Sequence, residues 1–178
     1  MSSSFNSPIH QPRSEQANLS GLLQRLNQNL GRDRLVQDTV HELRATLQVD
    51  RVVLYYFYNQ WQGQVTFEAL RDATLSIFGS TGPDQCFNDE YAALYLAGRV
   101  RAIPDIETEA IADCHRDFLR QLQVRANLVV PVLTRQGLWG LLVAHHCQGP
   151  KTWTTEEIQQ IQQGAAQLAE SPVIGQAE

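Results

Sequence analysis

Nothing in this chain suits a polyanion or a bilayer. It has no run of Lys and Arg, and a formal net charge of −5 over 178 residues leaves no basic surface for nucleic acid. No apolar stretch reaches the ~18 residues of a membrane span, so no membrane contact is expected. The polar start, with Ser2, Ser3, Ser4, Pro8 and Pro12, lacks the apolar segment of a secretion signal, and a cytoplasmic location is the expectation. Cysteine is scarce. Cys86, Cys114 and Cys147 are odd in number and widely spaced, which argues against a disulfide framework and predicts free thiols. No Cys-x-x-Cys or His-x-x-His pair is present to anchor a metal, so a zinc site from Cys86, Cys114 and His145 has little support. Internal repeats are absent as well.

What is present is ordinary globular material, 43% hydrophobic and 19% charged, enough for one domain with a core. Residues 1–17 read as a flexible lead-in, 18–170 as the domain, and 171–178 as a frayed end or linker. A helix is expected near Leu19–Leu30, broken by Gly31. A second follows Asp33, with Leu35, Val36, Val40, Leu43 and Leu47 on one face.

The period then changes. Arg51–Tyr58 (RVVLYYFY) is dense in β-branched and aromatic residues, and a turn around Asn59–Gly63 leads into a second strand, Gln64–Leu70. Residues 71–87 form a long loop, of a length that tends to carry function. A short helix over Asn88–Ala97 ends at Gly98, and a short strand, Val100–Ile103, ends at Pro104. A helix from Asp113 to about Gln123 follows. Asn127–Thr134 and Leu138–His146 make a second hairpin, and the last helix is capped by Thr154 or Thr155, with Ile158, Ile161, Ala165 and Leu168 as its stripe. The order predicts an α+β domain: a central antiparallel sheet of about six strands, terminal helices on one face, a ligand pocket with a helical insert on the other.

Two segments carry candidate chemistry. In Asp113-Cys114-His115-Arg116-Asp117-Phe118-Leu119, Asp113 is a good N-cap and puts Cys114 in the first turn. The free N–H groups and the helix dipole there favour a thiolate. Phe118, one turn on, can wall the same face. Spacing alone leaves open the plainer reading, a small packed thiol beside a surface histidine. Adjacent Cys-His does not argue for a hydrolase, because helix neighbours point about 100° apart. The second segment is Gly82-Pro83-Asp84-Gln85-Cys86-Phe87, where a carboxylate two residues before a thiol could poise it. Alone it would read as a turn with an exposed thiol. His146 and Cys147 at a strand end, and Trp61, Trp139 and Trp153, read as structural.

Taken together, Cys114-His115 at a helix start, "LQVRANLVVPV" and "LWGLLVAHHCQGPKTW" resemble the phytochrome and cyanobacteriochrome GAF domains. Asp84-Gln85-Cys86-Phe87 matches the Asp-Xaa-Cys-Phe motif of the two-cysteine cyanobacteriochromes. The resemblance runs from about Leu19 to Leu168. It implies a photoreceptor carrying phycocyanobilin or phycoviolobilin, a linear tetrapyrrole attached through a thioether to Cys114. It implies that Cys86 adds reversibly at the C10 methine and shifts absorption to the blue or violet. Asp84 would accept from pyrrole N–H groups, and His115 would lie against the inner rings. His145 would contact the outer ring D, Arg99 (with Arg101 as rival) a propionate, and Phe87 would wall the pocket. Gln64 departs from the acidic residue of many relatives. Light would drive 15Z/15E isomerisation. Apart from autocatalytic attachment the domain would be a sensor and not an enzyme. Its output would be a histidine kinase, diguanylate cyclase or chemoreceptor domain elsewhere, and it could form a homodimer through the terminal helices. The rivals are a GAF domain binding a cyclic nucleotide without a covalent bond, and a thiol redox enzyme on the same scaffold, similar to the free methionine sulfoxide reductases.

Overall fold

The computed structural model describes residues 13–82 and 89–176. Two helices lead, α1 (Arg13–Arg32) and α2 (Arg34–Leu47). The helix expected near Leu19–Leu30 starts earlier and is not broken at Gly31. The break comes at Asp33, whose side chain accepts from the Val36 N–H at 3.2 Å and caps α2. A capping carboxylate satisfies an otherwise orphaned donor, and that outweighs a glycine's helix cost of about 1 kcal/mol.

The hairpin β1 (Arg51–Asn59) and β2 (Gln62–Leu70) follows. Residues 73–75 form a 3-10 turn. Then come α3 (Asp89–Leu96), β3 (Arg101–Ile103), α4 (Asp113–Gln121), β4 (Ala126–Thr134), β5 (Gly137–His146), α5 (Thr155–Ala169) and the short α6 (Pro172–Gly175). The strands form one antiparallel sheet in the order β2-β1-β5-β4-β3. About six strands were expected and five form. Among the described residues of the long loop, an isolated bridge between Gln64 and Thr81 is added. Strand β5 can lie close against β1 because Gly140 has no side chain. A Cβ there would strike the Tyr55 carbonyl oxygen.

Alternation along each strand sorts residues between the two faces. Val52, Leu54, Leu128, Val130, Leu142 and Ala144 point to one side and join Val36, Val40, Leu47, Ile161, Ala165 and Leu168 in the main core. This is the face that α2 and α5 cover. Thr154 begins α5 with a reciprocal cap in which Thr154 and Glu157 each accept from the other's backbone N–H, the arrangement that satisfies two orphan donors at once. The end expected to fray is anchored: Ser171 and Ile174 are buried, and the Ser171 hydroxyl donates to Asp33 at 2.6 Å. The opposite face holds two smaller clusters, one on Val53, Val65, Tyr95, Val129 and Val143, the other on Ile103, Ile106, Leu119 and Val124. Between them lies a cavity.

Candidate functional site

The cavity measures about 230 Å³. Its floor is the sheet (Val53, Val129, Val143), its walls are α3 through Tyr91 and Tyr95 and α4 through His115 and Phe118, and Trp61 closes one side. Trp61 was expected to be packing. It instead lines this space, with its indole N–H donating to Asp89 at the start of α3.

Register places three polar residues in a row across the floor. His145 on β5 stands directly opposite Arg51 on β1 and opposite Asn127 on β4, so all three point to the cavity side. His145 is 4% exposed and lines the cavity. Its Nδ1 accepts from Arg51 Nε at 2.8 Å. Burial, and after it the Arg51 charge, hold the imidazole well below its ordinary range. Asn127 is buried, and its Oδ1 has no hydrogen-bond partner among the described residues. An unpaired buried amide oxygen costs about 1–3 kcal/mol. Such an atom in a cavity wall is a receptor for a donor on a ligand. Neither Arg51 nor Asn127 stands out in the sequence as a site residue. Strand register was the only signal that could have found them, since each sits one step out of the apolar alternation.

His115 lies on the cavity side of α4, half-buried. Burial first, then the charges of Arg101 and Arg99, push its pKa down. Asp113 was expected to cap α4 and does not. Ala112 holds the cap position without a side-chain bond, because the Asp113 carboxylate turns to Arg116 Nη1 at 3.1 Å. Cys114 is in the first turn as expected and is exposed. The expectation of free thiols is corrected here, because Cys114 is disulfide-bonded and Cys147 is the free cysteine among the described residues. Arg116 also donates to the carbonyls of Ile106 (2.9 Å) and Glu109 (2.7 Å). The fork of Arg125 grips Asp105 at 2.7 and 3.0 Å and brings its pKa to about 2. These two arginines fix the 104–112 segment against the helix that carries Cys114 and His115.

The two candidate anion-binding arginines differ. Arg101 lies 3.7 Å from Glu109. Arg99 has no acidic partner among the described residues, and its guanidinium sits 5.9 Å from the ring centres of both Tyr91 and Tyr95. Asp84, Cys86 and Phe87 lie outside the described residues. The structure therefore brings Arg99, His115 and His145 to one cavity, whereas Cys114, next to His115 on α4, is exposed and is not among the lining residues.

Residues 31–171 match the GAF domain family. The chain is 48% identical over 151 residues to an uncharacterized protein of Picosynechococcus sp. PCC 7002, covering 85% of this chain and 93% of that one. It is 34% identical to a putative methyl-accepting chemotaxis protein of Synechocystis sp. PCC 6803, covering 83% of this chain but only 15% of the other. Among solved structures, the blue-light-absorbing form of the Thermosynechococcus elongatus PixJ GAF domain superposes with a TM-score of 0.69 at 31% identity, over 90% of this chain and 89% of that one. A phycocyanobilin-bound GAF domain from a cyanobacterial phytochrome gives a TM-score of 0.68 at 28% identity, over 84% and 91%.

Proposed function

The chain belongs to the GAF domain family, and we propose that it serves as a light-sensing domain that holds a linear tetrapyrrole in the cavity between the sheet and α4. The observation that carries this reading is the buried oxygen of Asn127, unpartnered among the described residues and set beside the His145 donor in a cavity whose sheet floor is otherwise largely apolar. A bilin has what these groups lack: ring N–H donors, terminal carbonyl acceptors, and two carboxylates. Asn127 accepts from a ring N–H and His145 donates to a ring carbonyl. Arg99, without an acidic partner among the described residues, binds a propionate. His115 stacks against the inner rings, kept neutral by the same burial that lowers its pKa.

A tetrapyrrole is larger than the enclosed space, so one end must reach the rim. We assign the covalent anchor to Cys114, exposed on α4 next to His115, after a dithiol or glutathione has reduced its disulfide by two electrons and two protons to free the thiol. The bound pigment supplies light absorption and 15Z/15E isomerisation. Cys86 is the reversible second thioether partner at C10, Asp84 accepts from the pyrrole N–H groups, and Phe87 walls the pocket. The pigment is phycocyanobilin, in part converted to phycoviolobilin. A signalling partner follows from the relatives, one of which is a chemotaxis protein many times longer than the shared segment. The domain's output therefore belongs to a chemoreceptor or kinase module, with dimerisation through the terminal helices.

Co-expression with phycocyanobilin-producing enzymes tests the assignment. The expected result is coloured, photoconverting protein with zinc-dependent pigment fluorescence on a denaturing gel, lost in Cys114→Ala. Colourless wild-type protein would sink the proposal.

A further inference from the structure

We propose that Arg51 is a positioning residue that fixes His145 in its neutral Nε2–H form, so that His145 presents an invariant hydrogen-bond donor to the cavity. Arg51 is 1% exposed, a costly place for a charge. It has no carboxylate salt bridge among the described residues. Its donors go to three acceptors instead: Nη1 to the Leu75 carbonyl at 2.7 Å, Nη2 to the Leu122 carbonyl, and Nε to His145 Nδ1 at 2.8 Å. A purely structural arginine tying down two loop carbonyls would account for the first two. It does not account for Nε aimed at an imidazole nitrogen.

The bond determines the tautomer. A guanidinium can only donate, so Nδ1 must carry a lone pair, and the ring's one proton must sit on Nε2. Nε2 has no hydrogen-bond partner among the described residues, and the residue lines the cavity. The charges that face the ring resist a second proton. Arg51 on β1 is the charge that acts on the ring; Arg99 before β3 and Arg101 on β3 share the cavity lining, while His115 on α4, its pKa lowered, Asn127 on β4 and Tyr95 on α3 bring no charge. The nearby acids are engaged elsewhere. Asp50 holds Arg71 at 2.6 Å and the Cys147 N–H at 2.5 Å, and Glu68 accepts from the Ser76 hydroxyl and the Ile77 N–H. Burial and the Arg51 charge favour the neutral ring and hold its pKa well below normal. A donor of fixed charge would keep a pigment's colour independent of pH across the range in which free histidine titrates.

The tautomer inference stands on the protein alone, and only its consequence for colour rests on the proposed bilin. Nitrogen NMR on histidine-labelled, unpigmented protein reads the first part. The expected result is one unprotonated Nδ1 and one protonated Nε2 for His145 from about pH 8 down to about pH 5. A proton on Nδ1, or titration near the ordinary midpoint of about 6.5, would overturn it. For the second part, phycocyanobilin-loaded Arg51→Met should gain a pH-dependent absorption spectrum in that range, and Arg51→Lys should restore part of the wild-type insensitivity. Pigmented, folded Arg51→Met with a spectrum as flat as wild type would overturn the role. If Arg51→Met does not fold, the wild-type NMR result decides. If no variant takes pigment, the proposed function fails while the NMR arm still reads Arg51 and His145.

Discussion

On β5, Leu142 and Ala144 point into the cluster beneath α2 and α5, whereas Val143 and His145, their immediate neighbours, point at the cavity. The first face is continuous, apolar and covered. The second carries two small clusters separated by space, with a buried arginine, a histidine and an unsatisfied amide in a row across its floor. A sheet that needed only stability would fill both sides alike, because buried polar groups cost free energy that apolar ones do not. The second face gives up that stability in order to hold something else.

The contrast breaks most visibly on the covered face. Leu142→Ala, at a residue with no exposure, should cost about 2–5 kcal/mol, because the lost transfer energy is joined by a new cavity. Val143→Ala should cost only about 1 kcal/mol, close to the transfer term for the atoms removed, since it enlarges a cavity that already exists. Denaturant unfolding of the unpigmented protein measures both. Equal losses would show that the two faces are packed alike.

That contrast also explains what was legible in the sequence. Val36–Leu47 and Ile158–Leu168 announced their helices because a continuous core imposes a regular apolar stripe, although Leu35, expected on that face, is exposed, and the short apolar run "NLVVPVLT" gave β4 to within one residue. The cavity face imposes no such rhythm. Arg51 opened a run that otherwise read as strand, and Asn127 stood between apolar residues, so neither drew notice. Their roles depend on which residues face each other across three strands, and register is set by tertiary structure. His115 and His145 were singled out because the resemblance pointed to them. Arg99 could be told from Arg101 only after Glu109 was seen beside the latter. The cap at Asp113 failed for a related reason: Arg116, three residues on, drew the carboxylate away.

A change of pH sharpens the comparison without a mutation. His115 and His145 both belong to the cavity face, and both have folded pKa values lowered from 6.5 chiefly by burial. As pH falls below about 6.5, the unfolded chain takes up protons that the folded chain refuses. Stability should therefore be flat from about pH 8 to about pH 7 on their account and decline below about pH 6.5. Asp105, whose folded pKa is about 2, acts in the same direction but only where an unfolded aspartate begins to protonate, below about pH 4. The two windows do not overlap. A His115→Gln, His145→Gln variant should lose the upper slope and keep the lower one. Wild-type stability that is level down to about pH 5 would mean that the histidines are solvated in the folded state.

The smallest expected change in stability is at Asn127, and it separates the two faces most cleanly. On the covered face, exchanging a buried residue for another of similar volume tests packing alone. At Asn127 the wild-type side chain is already at a disadvantage, because its Oδ1 is buried without a partner. Asn127→Leu keeps the number and branching of side-chain heavy atoms, has the neighbouring cavity to take its bulkier methyls, and removes that orphan, so the unpigmented protein should be as stable as wild type or gain up to about 1 kcal/mol. With phycocyanobilin bound the balance should reverse. A ring N–H that had an acceptor would then face a methyl group, and one hydrogen bond, worth about 0.5–1.5 kcal/mol, would be lost together with the alignment it gives. The absorption maximum should move, or the photoconversion should slow, in a protein that unfolds no more easily before loading. If Asn127→Leu instead destabilises the unpigmented chain by several kcal/mol and leaves the spectrum unchanged, the amide serves the fold, and the unpaired oxygen is not a ligand contact.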